Sequence, residues 1–507
     1  MKKIGACLFL VASLTGSFAQ TNDPSGRPLS LTDCFTEALK HNLDVQIEQT
    51  APQISLYNLQ SAYGGYDPQL SLGGSHSYND SGAYLNSDGS LAIPTIDKNN
   101  SFNAGINGAT PWGMTYNLGG NGMNSPAGIS EQNFTKSVNN TNLFSGQSSS
   151  SAVGINLTQP LLKNFWVDNN RLTILVSKNR LKYSEQGLRG QIITTVTAVE
   201  NAYYELIYAR ENVNVQQEAL VLAQTQLDQD KQRVQVGSLA PLDVQQDEAQ
   251  VAQSRANLIA AENTMSIDQN ALKNLLTDHY SQWHDVEIQP TATLAAEREL
   301  FDVQDSWNKG MTGRPDLVQA RLNVEAQGIQ LKYFRNQLFP EVDLIGSYGY
   351  NGSGQNFNDT FNQFSDANRP FYSYGAQLSI PLGNVGARNN LKSGKATEKQ
   401  LLLQLKQLEQ NVMVQIDDAV KAAQSAWESV DATKSARIYA EAALDAEQKK
   451  YAVGKSTTFT VLQLQKNLTS ARSDEIRALA NYNQALANLA AAEGSTLERH
   501  NLDVEVK

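Results

Sequence analysis

Cysteine and histidine are nearly absent from this 507-residue chain, at two and five residues. Cys7 lies in an N-terminal segment read below as a leader, which leaves Cys34 alone and excludes an intramolecular disulfide framework. A lone cysteine of this kind is expected as a small apolar residue on a buried helix face. His279 and His284 stand five residues apart around Trp283, a spacing that does not put both on one helical face, so no metal site is expected. Long apolar runs are also missing. After residue 19 nothing approaches the ~20 consecutive apolar residues of a membrane-spanning helix. Positive charge is in deficit, 40 Lys and Arg against 51 Asp and Glu for a net −11, which argues against nucleic acid as a partner. Gly119-Gly120-Asn121-Gly122 has no strand-to-helix context of the kind that cradles phosphate. With no nucleophile, metal or phosphate motif at useful spacing, neither an enzyme nor a cofactor is expected.

What is present begins with a leader. Lys2 and Lys3, the apolar stretch Ile4 to Leu14 and the small-x-small site Ser17-Phe18-Ala19 read as a secretory signal peptide over residues 1–19. No cysteine follows the cleavage site, so no lipid attachment is expected there. An exported chain without spanning helices is periplasmic, secreted or a β-barrel, because lipid accepts only helices and closed barrels.

The chain repeats itself. At an offset of 272, Leu59 meets Leu331, Pro68 meets Pro340, Leu72 meets Leu344, Gly74-Ser75 meets Gly346-Ser347 and Tyr78-Asn79 meets Tyr350-Asn351. At an offset of 217, Val236-Gly237 meets Val453-Gly454, Val244 meets Val461, Gln246 meets Gln463 and Arg255 meets Arg472. Two ordered matches in each half indicate a tandem duplication, with a first repeat over 20–289 and a second over 290–507. The halves differ between their anchors: Pro68 to Pro160 spans 92 residues, Pro340 to Pro381 only 41. The surplus is rich in Gly, Ser and Asn and reads as loop with some embedded strand.

Period-two patterning flanks these intervals. Tyr372, Tyr374, Ala376, Leu378 and Ile380 alternate with Ser373, Gly375, Gln377 and Ser379. Val342, Leu344, Tyr348 and Tyr350 share a face, as do Val153, Ile155 and Leu157. Such strands suit a barrel with one face to lipid and one to water, or an ordinary two-faced sheet in a soluble sandwich. Ser101 to Ala109 and Met114 to Gly122 form a further hairpin candidate turning at Pro111-Trp112-Gly113, either adding strands to a barrel or lying across its mouth.

Heptads carry the helical signal. Ile192, Val199, Leu206, Val213, Leu220, Leu227 and Val234 recur every seven residues. The second copy reads Ile416, Ala423, Val430, Arg437, Leu444 and Tyr451, with Arg437 out of character. Beyond the glycines run Val244, Val251, Leu258, Met265 and Leu272, and Val461, Leu468, Glu475, Tyr482 and Leu489. A sustained 3.5-residue repeat implies left-handed coiled-coil packing. Helix from about Leu172 to Val236 would be roughly 100 Å long, which suits a rod or tube. Gly237 and Gly454 are placed to cap these helices, and Pro241 to start the returning one.

At this point the chain resembles the TolC-type outer-membrane efflux proteins. The resemblance rests on "LSLTDCFTEALKHNLDV", "RPDLVQARLNVEAQGIQLKYFRNQLFPEVDLIGSYGY", "RVQVGSLAPLDVQQDEAQVAQSRANL" and "KKYAVGKSTTFTVLQLQKNLTSAR" in that order. It implies an α+β membrane protein: a homotrimer whose protomers each give four strands to a shared 12-stranded β-barrel, above a long periplasmic α-helical coiled-coil barrel. Six strands per protomer is the alternative if the extra hairpin joins. It further implies a passive conduit of a tripartite efflux or type I secretion system, held in outer-membrane lipid and docked by a periplasmic adaptor with an inner-membrane pump. The competing reading is a coiled-coil surface stalk or adhesin with a β-structured anchor. A stalk would need no second hairpin at a matched place.

The resemblance also suggests sites. Adaptor contact maps to Val236, Gly237, Ser238, Leu239 and Ala240, and to Val453, Gly454, Lys455, Ser456 and Thr457. A closing contact maps to Asp243 and Tyr451, with Ser456 where some relatives carry an arginine and Lys455 beside it as a substitute. Thr460 and Gln463 stand where relatives place aspartates at the constriction, so strong cation binding there is not expected. Asp243, Asp247 and Glu248 are read as a solvated helix face.

Overall fold

The computed structural model describes residues 26–80, 82, 85, 87–89, 95–119, 127–136, 144–366 and 368–502. The expected leader with Cys7, and residues 120–122 of the glycine-rich run, lie outside them. The first half contains β1 (Arg27–Leu29), α1 (Leu31–His41), α2 (Leu43–Tyr63), β2 (Gln69–Asp80), β3 (Thr95–Ala109), β4 (Thr115–Leu118), β5 (Ala127–Lys136) and β6 (Phe144–Pro160). It continues with α3 (Asn169–Gln235), α4 (Pro241–Leu276), α5 (Tyr280–Trp283) and β7 (Ile288–Pro290). The second half contains α6 (Val303–Gly313), α7 (Pro315–Asn336), β8 (Glu341–Gly354), α8 (Phe357–Ser365), β9 (Pro370–Ser379), α9 (Val385–Ala452), α10 (Thr458–Glu493) and α11 (Thr496–Arg499). The long helices of the two halves have matching lengths: α3 and α9 have 67 and 68 residues, and α4 and α10 have 36 each.

The chain divides into two compact units, each drawing on both repeats. One comprises Met1–Asn42, Ala198–Arg298 and Ser425–Ala485. Its core is the heptad stripe: Val199, Leu206, Leu227, Leu258, Leu272, Val430, Leu444, Tyr451, Val461, Leu468 and Tyr482 are all buried. Burying a side chain of this size stabilises by roughly 1.5–3 kcal/mol, so the stripe holds the helices together without much help from helix propensity. Short α1 starts with a capping box, Ser30 and Asp33 each bonding the other's backbone, and buries Cys34 completely. Parallel β1 and β7 lie beside it. The buried Tyr203 of α3 joins them, its hydroxyl donating to the Leu29 carbonyl at 3.0 Å and accepting from the Ala292 N–H at 3.3 Å.

The other unit carries an antiparallel sheet in the order β2-β3-β4-β6-β8-β9, with β5 also between β3 and β6. Strand β4 pairs Ile106–Ala109 of β3, while β5 pairs Thr95–Ala104 of the same strand, so the two follow one another along a single lane. Among the described residues the sheet thus has six lanes, two more than the four strands expected of each protomer in a barrel and equal to the six of the alternative. The Gly, Ser and Asn content read as loop because it cannot fill a core. A strand needs backbone pairing rather than a filled core, and β3 to β6 have that pairing. The expected turn at Pro111-Trp112-Gly113 joins β3 to β4, with Gly113 N–H bonding the Thr110 carbonyl at 3.0 Å.

Register locates the insertion. Leu72 faces Ala104 across β2 and β3, and Leu344 faces Ala376 across β8 and β9, each residue displaced by the repeat offset of 272. Cross-strand serines repeat as well: Ser75 and Ser101 hydroxyls lie 2.6 Å apart, as do those of Ser347 and Ser373. The β2–β3 hairpin is therefore the counterpart of β8–β9, and the lanes of β4/β5 and β6 are the extra pair.

At the level of β4 one sheet face is apolar from β2 to β9. Leu70, Leu72, Phe102, Ile106, Leu118, Val153, Leu344, Tyr348, Tyr372, Tyr374 and Leu378 share it by register and are all exposed. Ser71, Asn107, Asn117, Asn156, Ser347 and Ser373 lie on the other face. No described helix is long and apolar enough to cross a membrane. Helix α8, which the sequence reading missed, lies against β8 with its Phe357 ring edge-on to Phe102, centroids 5.7 Å apart. Within the same unit a second core of Leu317, Val412, Ile416, Val420 and Leu489 packs α7, α9 and the end of α10.

Candidate functional site: the helical reversals

The two reversals are chemically the same device. After α3, Ser238 N–H bonds the Arg233 carbonyl at 2.9 Å and Gly237 N–H bonds Val234 at 3.0 Å. After α9, Lys455 N–H bonds Lys450 at 2.9 Å and Gly454 N–H bonds Tyr451 at 3.1 Å. Both are Schellman caps, which satisfy the last carbonyls only if the residue past the helix takes a left-handed conformation. Gly237 and Gly454 do so, at φ +76° and +74°. Pro241 then opens α4, while Thr457 opens α10 by accepting the Thr460 N–H on its hydroxyl at 3.3 Å.

Around the caps, apolar side chains remain in solvent. Val236 and Val453 are 78% and 69% exposed, and Leu242 and Phe459 63% and 68%. Each pair is related by the 217-residue offset. Matched apolar exposure at both reversals is unlike the solvated polar surface around it.

Behind the first reversal lies a buried polar cluster. The Tyr451 hydroxyl donates to Asp230 Oδ2 at 2.7 Å and lies 2.9 Å from the Thr458 hydroxyl, which donates in turn because tyrosine has one proton to give. Gln226 Nε2 donates to the same Asp230 oxygen at 2.7 Å. The Arg233 guanidinium sits 3.8 Å from Asp230 Oδ1 and 4.5 Å from the Tyr451 ring centroid. Burial above all pushes the Tyr451 hydroxyl up to about 12, so it remains a donor at any physiological pH. Asp247 of α4 completes the cluster at 1% exposure, with no donor among the described residues for either carboxylate oxygen. Its carboxyl is pushed up to about 7, first by burial, then by the negative charge of Asp230, a hydrogen bond to it and the charge of Asp243.

Within the chain Tyr451 meets Asp230, seven residues before the cap, while Asp243 has its N–H on the Ala240 carbonyl in the first turn of α4. Asp247 is buried rather than solvated. The signal was available: Asp230 and Asp247 stand three residues after the heptad members Leu227 and Val244, on the stripe that faces a partner helix. The remaining expected residues lie at the second reversal. Ser456 donates to Glu447 at 2.6 Å, and the Lys450 hydrogen bond followed by that of Ser456 holds the Glu447 carboxyl below the usual range. Thr460 bonds the Thr457 hydroxyl at 2.9 Å, and Gln463 donates to Asn467 at 3.0 Å. Lys455 is exposed beside the cap.

The family model described as outer membrane efflux protein matches residues 127–277 and 311–495, which takes in both reversals and both pairs of long helices. The chain belongs to the outer membrane efflux protein family. Among relatives of this family, TolC of Vibrio cholerae is 26% identical over 351 residues, covering 67% of this chain and 77% of that protein. TolC of Escherichia coli is 24% identical over 311 residues, covering 60% and 62%. The fold is shared with solved channels: VceC of Vibrio cholerae at TM-score 0.65 and 18% identity, covering 92% of this chain and 96% of that one. CmeC of Campylobacter jejuni matches at 0.64 and 15%, covering 92% and 86%. As a family member the chain is an outer-membrane efflux protein.

Proposed function

We propose that three copies of this chain close into one export duct, a passive conduit of a tripartite efflux or type I secretion system. The observation that carries this reading is the open sheet. Among the described residues strands β2 and β9 each pair on one side only, yet both belong to a sheet with an exposed apolar face. Lipid cannot satisfy free backbone N–H and C=O groups, so each β9 must meet the β2 of another copy. Three copies of six lanes give 18 strands, in place of the 12 of the family pattern. Barrel diameter grows roughly linearly with strand number, so this pore is about 1.5 times as wide. Exposed Val221, Ile259, Ile267 and Ile438 give the long helices apolar faces for the neighbouring copies. The reversals form the periplasmic end, where exposed Val236, Leu242, Val453 and Phe459 receive a periplasmic adaptor that links the duct to an inner-membrane pump. The test is a density map of the detergent-solubilised assembly together with conductance in planar bilayers. A trimer with 18 strands and ion-conducting pores is expected; folded trimers without conductance would sink the duct, and 12 strands would sink the wider barrel.

A further inference from the structure

We propose that a proton held between Asp230 of α3 and Asp247 of α4 locks the first reversal shut, and that its loss as pH rises drives the start of α4 away from α3. The proposal rests on reading the reversals as the gate. Its basis is geometric. Two carboxyl groups, on α3 and α4, are buried to 0% and 1% exposure within hydrogen-bond reach of each other, and neither Asp247 oxygen nor Asp230 Oδ1 has a donor among the described residues. Two adjacent carboxylates cannot both be charged in such a place without a large cost. A proton on Asp247 resolves it, the carboxyl donating to Asp230.

The surrounding charges do not remove the problem. On α3, Arg233 reaches Asp230 only at 3.8 Å, with its guanidinium over the Tyr451 ring, and Lys231 pairs outward with Glu248 at 3.2 Å. On α4, Asp243 adds a further negative charge against Asp247. On α9, Tyr451 stays protonated, while Glu447 and Lys450 pair with each other at 2.8 Å. On α10 the cluster is faced by Thr458, which is uncharged. Asp230 is anchored by Tyr451 and Gln226, whereas among the described residues Asp247 bonds to Asp230 alone. When the Asp247 O–H breaks and the proton passes to water, repulsion and the pull of hydration therefore act on α4.

The sign follows from the raised carboxyl. Below the ordinary aspartate range both the locked and the released forms carry the proton, and the lock is at full strength. Between that range and about 7 the locked form must hold a proton that the released form gives up, so the lock weakens steadily. Above about 7 it has lost all that the proton supplied.

Hydrogen exchange on the full-length protein in detergent tests this, read for amides 226–250 at pH 5 to 8 and normalised to the intrinsic rate at each pH. Wild type should lose protection across this range by at least about tenfold, while amides 465–480 of α10 stay level. Asp247→Asn, a permanent mimic of the protonated form, should stay protected throughout. Asp230→Asn removes the charge that raises Asp247 and should move the transition to lower pH. A level wild-type profile, or a transition that survives in Asp247→Asn, overturns the proposal. Bilayer conductance separates it from the conduit reading. Pores without the exchange transition remove the lock and keep the duct; the transition without pores does the reverse.

Discussion

Arg437 of α9 and Glu475 of α10 form an ion pair, and they are the two charged residues that interrupt otherwise apolar heptad series. Each breaks the pattern on its own helix, and each is answered by the other. Arg437 also reaches Glu441 at 3.1 Å, and Arg472 ties Glu441 at 3.2 Å and Glu218 of α3 at 2.6 Å, extending the pair into a network. The charges fix which turn of α9 meets which turn of α10, a register that leucines alone would leave less defined.

Replacing one partner should cost more than replacing both. Arg437→Leu leaves Glu475, 17% exposed, without its main counterion, and should destabilise by about 2 kcal/mol. Glu475→Leu should behave similarly. The double replacement restores an unbroken apolar stripe and should recover most of the loss. A double-mutant cycle by denaturant unfolding measures this; additive losses would show that the pair is only a surface contact.

Tyr451→Phe keeps the buried ring but removes the proton donated to Asp230 at 2.7 Å. Gln226 still donates to that oxygen, so the loss should be about 1–2 kcal/mol at each copy. If the reversals gate the duct, the effect is repeated in every copy, and the open fraction in planar bilayers should rise while the assembled trimer stays intact. Asp243→Asn should do much less, because Asp243 does not contact Tyr451. Equal effects of the two substitutions would return the latch to the contact expected from the resemblance.

The helices were legible because their rule is local and repetitive: the heptads from Ile192 to Val234 and from Val244 to Leu272 named the buried stripe, and Gly237 and Gly454 named its ends. The strands were harder. In a wall one residue thick, Asn103, Gly105 and Asn107 of β3 need no core, so composition made a strand look like a loop; only the alternation with Ala104 and Ile106 distinguished it. The resemblance pointed to Tyr451 and Asp243, and within the chain the Tyr451 hydroxyl meets Asp230. Asp230 and Asp247 were less legible: an acid near a helix end is usually in water, which is how Asp247 reads, and only heptad phase puts both on the packed stripe.

The caps should be costly to change. A side chain at Gly237 or Gly454 meets no neighbour within 4 Å, so alanine pays only for the left-handed backbone, about 1 kcal/mol per site. Valine, whose branched Cβ fits that region poorly, should cost more. Thermal unfolding of Gly237→Ala, Gly454→Ala and the two valine variants checks the order. A loss from alanine as large as that from valine would point to a buried contact at the caps in place of strain.

The exposed apolar residues at the reversals separate a contact surface from a simple helix end. A helix end needs the glycine but has no use for Val236, Leu242, Val453 and Phe459, which cover nothing within the chain and are 63–78% exposed. Aspartate at these four positions should therefore leave stability within about 0.5 kcal/mol, since surface substitutions of this kind disturb no packing. Binding of the adaptor encoded with this chain should fall at least tenfold, because burying an unpaired charge in an apolar contact costs well over 1.4 kcal/mol. Crosslinking yield and affinity between the purified assembly and that adaptor report the effect, with Asp285→Ala, far along the chain from either reversal, as the unaffected control. Retained affinity in a folded quadruple variant would mean that the adaptor grips elsewhere. Loss from the Val236 and Leu242 pair but not from Val453 and Phe459 would mean that it reads one repeat and not the other.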